Sequence, residues 1–110
     1  MKKGESIKNT MIIVEPIINA TADAYQISAT EIIGRSRIHP ISEARQVAMY
    51  LVLKHTHTGM HYTAARFGKT SGSAYYADKT IRKLLTIDKK LKERVKKIET
   101  VAIAKFKNEL

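Results

Sequence analysis

The sequence predicts an all-α domain, and three observations carry that expectation. Apolar residues recur at three- and four-residue spacing from Ile17 onward, glycines and prolines fall between the periodic segments, and no run alternates apolar and polar residues as a strand would. With 110 residues, 44% of them hydrophobic, the chain can bury one core and is too short for two ordinary domains. It carries no internal repeat.

Residues 1–15 read as a disordered or extended arm, polar apart from the short apolar patch Met11 to Val14. Pro16 stands where a helix can begin, because the N–H it lacks is one that a first turn leaves unpaired anyway. Ile17, Ile18, Ala20, Ala24 and Tyr25 then extend a first helix to Gln26. Ser28 and Glu31 make a capping box for a short second helix, with Ile32 and Ile33 as its apolar contact and Gly34 as its end.

The stretch GRSRIHPISEARQVAMYLVL, Gly34 to Leu53, is the most informative part of the chain. It joins a basic loop, Arg35 to Pro40, to an amphipathic helix. Ser42 is the expected N-cap, with Arg45 in the first turn and Val47, Ala48, Leu51 and Val52 as the buried face up to about His55. Thr56 to Gly59 reads as a turn. Met60 to Phe67 is a short helix packed through Ala64, Ala65 and Phe67 and closed by Gly68. A polar turn, Lys69 to Gly72, leads to a further helix with Ala74, Ala77, Ile81, Leu84 and Leu85 inward. Two helices about a glycine-bearing turn read as a helix-turn-helix, the second being the recognition helix.

Asp88 to about Lys107 repeats Leu91, Val95, Ile98, Val101 or Ala102, and Phe106, with lysines elsewhere, as a long basic amphipathic helix. Packing of one stripe on the domain is its plain reading, and a dimerising helix or a second nucleic-acid contact is the alternative. The expected division is thus an arm over 1–15, a helix-turn-helix domain over 16–86 and a basic C-terminal helix over 87–110.

The net charge is +10, and the excess lies in the second half, where Lys79, Arg82, Lys83, Lys89, Lys90, Lys92, Arg94, Lys96, Lys97, Lys105 and Lys107 outnumber the carboxylates. Nucleic acid is the commonest partner of such a balance. The absence of cysteine excludes disulfides and thiolate zinc sites and fits a reducing compartment. The apolar patch ended by Glu15 and Pro16 is too short for a signal or membrane segment, so a cytoplasmic, nucleoid-associated protein with no membrane partner is expected.

His55, His57 and His61 invite a metal reading, but Gly59 interrupts the helix and no carboxylate or cysteine completes a shell, so no metal site and no cofactor are expected. Ser71 and Ser73 lack a paired base and no glycine-rich phosphate loop exists, so no enzyme is expected either. An arginine early in a helix opposes the helix dipole, and Arg45 therefore calls for an anionic partner, either a phosphate or an internal one such as Glu31 or Glu43. Thr70, Ser71 and Ser73 offer hydroxyls to base edges or phosphates. Tyr76 and Lys79 project outward, whereas Tyr75, about 100° away on the helix, is expected to pack.

With these elements placed, the sequence resembles the C-terminal DNA-binding domain of the bacterial replication initiator DnaA. The resemblance rests on Gly34-Arg35-Ser36-Arg37, on Ala44-Arg45-Gln46-Val47-Ala48-Met49-Tyr50-Leu51, and on Phe67-Gly68, and covers about Ile17 to Leu85. It implies that Arg37 enters a minor groove with Arg35 supporting it at the backbone. It implies too that Arg45 and Gln46 hold phosphates, and that Met60 and His61, after Gly59, lie near the backbone.

The family carries an Arg-Asp-His-Thr-Thr run after its turn. This chain has Lys69-Thr70-Ser71-Gly72-Ser73 there, keeping a cation and one hydroxyl and losing the aspartate and histidine. The function implied is double-stranded DNA binding, in replication initiation or transcriptional regulation. A protein-interaction module or self-association through the C-terminal helix, and binding of structured RNA, are the alternatives. No ATPase module accompanies the domain, so an excised domain, a stand-alone regulator or a mobile-element protein is expected.

Overall fold

The structure, a computed structural model, describes residues 3–56 and 59–109, with side chains over 14–56 and 59–105. Its elements are α1 (Lys3–Tyr25), α2 (Ala29–Ile33), α3 (Ile41–His55), α4 (Gly59–Arg66), α5 (Ser71–Leu85) and α6 (Lys89–Glu109), with no strand among the described residues. His57 and Thr58, in the expected turn, and the side chain of Phe106 lie outside them.

The first helix does not begin at Pro16. α1 starts at Lys3 and holds Pro16 inside it, where an extended arm was expected. The reason is visible in what is buried: Val14, Ile17, Ile18, Thr21, Ala22 and Tyr25 form a stripe at helical spacing that starts before the proline. That burial outweighs the backbone hydrogen bond that Pro16 cannot donate. Ala24, expected inward, is exposed on the other face.

α2 matches its reading closely. The Ser28 hydroxyl accepts from the Glu31 N–H at 3.0 Å, and the Ser28 N–H donates to the Glu31 carboxylate at 3.0 Å. α3 differs at its start, since Pro40 is the N-cap and Ser42 lies inside the first turn without capping. Proline at this boundary has no side-chain acceptor, so the N-cap contributes only its carbonyl, which accepts the Ala44 N–H at 2.9 Å.

α4 ends in a Schellman arrangement: the Lys69 N–H donates to Ala64 O at 2.8 Å and the Gly68 N–H to Ala65 O at 3.0 Å. This needs a left-handed residue, and Gly68 supplies it with φ of 65°. α5 then starts earlier than expected, because Thr70 caps it by accepting the Ser73 N–H at 3.3 Å. Ser71, Gly72 and Ser73 belong to the first helical turn and not to the connection.

One cluster forms the core, joining Ile17, Ile18, Ile32, Leu51, Phe67 and Ile81. α6 is part of it, because Leu91, Val95, Ile98 and Ala102 turn inward along α1. The apolar stripe of the C-terminal helix is therefore spent on its own domain, while Val101 remains outside.

A polar strap ties α6 to the end of α3. One Glu99 carboxylate oxygen lies 2.8 Å from Lys54 Nζ and 2.6 Å from His55 Nε2. Burial raises the Glu99 pKa, but the hydrogen bonds and charges of Lys54 and His55 outweigh that, and the net effect lowers it below the ordinary glutamate value. A carboxylate depressed on folding stabilises the fold above its unfolded pKa, and this stabilisation disappears as pH falls through the folded value. Glu99→Gln is accordingly expected to flatten the loss of thermal stability below about pH 4. Melting curves of both proteins between neutral and acid pH check this.

Candidate nucleic-acid interface

The packing of α3 against α5 leaves an open cleft of about 510 Å3 between the basic loop, the first turns of α3 and the start of the recognition helix. Arg37, Lys69, Gln46 and Arg45 line it with Thr70, Ser73 and Tyr76, so seven of the sequence-predicted contact residues meet in one place. Arg35 is exposed on the same loop, close enough for its field to reach Lys69. Ser71 is half-buried beside this region, Lys79 is exposed further along α5, and His61 is exposed in the first turn of α4. Met60 is half-buried and packs against the core. These four and Arg35 do not line the cleft.

Arg45 has a different role from the phosphate-holding one. It is only 5% exposed, and its guanidinium is spread over three backbone carbonyls. Nε donates to Ile32 O at 2.6 Å, Nη2 to Glu31 O at 3.1 Å and Nη1 to Ser36 O at 2.7 Å. Two of these carbonyls belong to the last turn of α2, where helical acceptors are left over and a cation is favoured by the dipole. The third belongs to the loop between Arg35 and Arg37. In place of the anion expected at this position, phosphate or the carboxylate of Glu31 or Glu43, Arg45 has three neutral carbonyls, and it fixes the loop on α3 from beneath. Burial lowers its pKa, yet a guanidinium stays charged, so it still adds a positive field to the cleft floor.

Lys69 stands at the cleft with its backbone fixed by the Schellman turn. Its pKa is lowered, first by partial loss of water and then by the positive fields of Arg45, Arg37 and Arg35. The three arginines thus repel Lys69 across the site. A fold gains nothing from such an arrangement by itself, whereas the attraction of each cation to a bound polyanion would offset the repulsion.

Tyr75 is the second departure. It is 58% exposed and Tyr76 62%, so neither ring packs inside. Ala74, Ala77 and Ile81 fill the inward face of α5, and their narrow stripe leaves both adjacent tyrosines outside. Sequence reasoning also missed Ser42, Met49 and Gly72, which line the cleft. Ser42 and Met49 stand four residues before and three after Gln46, so the helical spacing of α3 could have found them.

Among the described residues no group of three side chains could hold a metal ion, and no helix is long and apolar enough to cross a membrane.

A family model described as the bacterial DnaA protein helix-turn-helix matches residues 14–81. The chain is 35% identical over 92 residues to the chromosomal replication initiator protein DnaA of Cutibacterium acnes, a match covering 83% of this chain and 18% of that protein. It is 37% identical over 84 residues to the chromosomal replication initiator protein DnaA 2 of Chlamydia pneumoniae, covering 76% of this chain and 19% of that one. With the DnaA of Tropheryma whipplei, strain Twist, it shares 36% over 74 residues, or 67% of this chain and 16% of the relative. The chain spans less than a fifth of the length of these curated relatives. By its matched region and its helix-turn-helix architecture, the chain belongs to the family of bacterial DnaA helix-turn-helix domains.

Proposed function

We propose that this domain binds double-stranded DNA sequence-selectively, with the start of α5 in the major groove and Arg37, supported by Arg35, at the adjacent minor groove. The observation that carries the reading is the meeting of Arg37, Arg45 and Lys69 around one open cleft, with Arg35 exposed on the adjoining loop. Lys69 and Gln46 hold phosphates and set the register, while Thr70, Ser71, Ser73 and Tyr76 face base edges. His61 and Lys79, exposed on α4 and α5, extend the backbone contact, with Met60 packed beneath the first turn of α4.

The relatives are named as chromosomal replication initiators, and service in replication initiation or in transcriptional regulation follows as part of this proposal. Association with the nucleoid in the cytoplasm belongs to the same proposal. A protein partner or self-association through α6 has less to rest on, because its apolar stripe already packs on α1.

Titration of labelled random-sequence duplex DNA and of a structured RNA hairpin at two salt concentrations tests the class of ligand. The duplex is expected to bind more tightly, and log affinity to fall linearly with log salt. Tighter binding of the hairpin, or affinity indifferent to salt, would overturn the proposal.

A further inference from the structure

We propose that Gly72 is a specificity-determining position: a notch in the recognition helix that lets a base-pair edge approach the α5 backbone more closely than any side chain would allow. The proposal rests on the duplex-binding reading above.

Nothing inside the domain requires glycine there. Gly72 has none of the left-handed geometry found at Gly59 and Gly68. A Cβ added to it would meet only the Thr70 hydroxyl oxygen, at an ordinary contact distance of 3.8 Å. Glycine is among the poorest helix formers, and Gly72 lies within α5, exposed in its first turn. The fold would be served as well or better by alanine. Glycine at a position without backbone or packing need is explained by close approach from outside.

The surroundings say what approaches. Gly72 lines the cleft with Ser73 and Tyr76 on the same helix, and Tyr76 stands one turn on, its phenol ring exposed. These groups are neutral, carrying a hydroxyl, a phenol and bare backbone. The cations lie elsewhere around the cleft, Lys69 suited to a phosphate and Arg37 to the minor groove. Neutral groups at the start of a recognition helix suit base edges, where a hydroxyl meets a donor or acceptor and a ring meets the thymine methyl.

Gly72→Ala tests the inference, because one methyl group separates fold from recognition. Its melting temperature is expected to stay unchanged or rise by up to about 4 °C. Its affinity for the duplex that the unmodified protein selects from a random pool is expected to fall roughly tenfold, the scale of one mismatched base pair. Affinity for random-sequence duplex should not change, since the cations are intact. Equal binding of the selected duplex by both proteins, an equal loss on both duplexes, or a lower melting temperature would each overturn the assignment. If the unmodified protein binds no duplex, the failure lies in the duplex reading itself and removes this inference with it.

Discussion

Arg45→Met is expected to lower the stability of the domain by about 3–5 kcal/mol, the cost of stripping charged hydrogen bonds from buried acceptors. The substitution keeps most of the apolar stem and removes the guanidinium that joins Ile32 O, Glu31 O and Ser36 O. Ile32 O and Ser36 O then lose this donor, and Glu31 O is left with the Gly34 N–H at 3.2 Å. A small domain has only about 5–15 kcal/mol of net stability, so the loss should be plain in urea or thermal unfolding. Arg45→Lys should recover only part of it, because a single ammonium cannot reproduce the planar fork that reaches three acceptors. Duplex affinity should fall as well, since the loop bearing Arg35 and Arg37 loses its anchor. A side chain that served only as a phosphate contact would give the opposite pattern, with stability unchanged and affinity alone reduced.

The second large effect is expected from removing Arg37 and Lys69 together. Replacing both by alanine should weaken duplex binding by about 100-fold at ~0.1 M salt and reduce the slope of log affinity against log salt by about 1.8, as for two cations lost from the DNA. The melting temperature should hold or rise, because Lys69 sits in the field of Arg45, Arg37 and Arg35 and its removal relieves that repulsion. Anisotropy titrations over a salt series, with melting curves of the same samples, give all three quantities. Unchanged affinity would place the phosphates away from this cleft.

What the sequence revealed and what it hid divide along the range of the interactions. The capping box of Ser28 and Glu31 spans three residues, and the end of α4 at Gly68 depends on its neighbours, so each is written in a short segment. Helix existence followed in the same way from periodicity. The start of α1 did not, because Pro16 marks a boundary locally while Val14 and Ile17 are buried by α3 and α6 from far along the chain.

Arg45 shows the same limit at the site. Its acceptors, Ile32 O and Glu31 O, lie 13 and 14 residues away and become neighbours only when α2 docks on α3. An arginine set against the helix dipole pointed to an anion, in the solvent or within the fold, and carbonyls brought close by tertiary docking fill that place instead. Tyr75 was misplaced because the buried stripe of α5 is narrow, made by alanines and Ile81. Gly72 looked like part of a turn in a polar run, and only the cap formed by Thr70 puts it inside a helix, where a glycine requires a reason.

Sequence-selective recognition of duplex DNA through this cleft can be measured by selecting bound duplexes from a random pool at two salt concentrations. One enriched motif is expected to persist at the higher salt, with an A·T-rich flank where Arg37 meets the minor groove. Recovery of no motif, with binding that simply fades as salt rises or is absent at both concentrations, would contradict it.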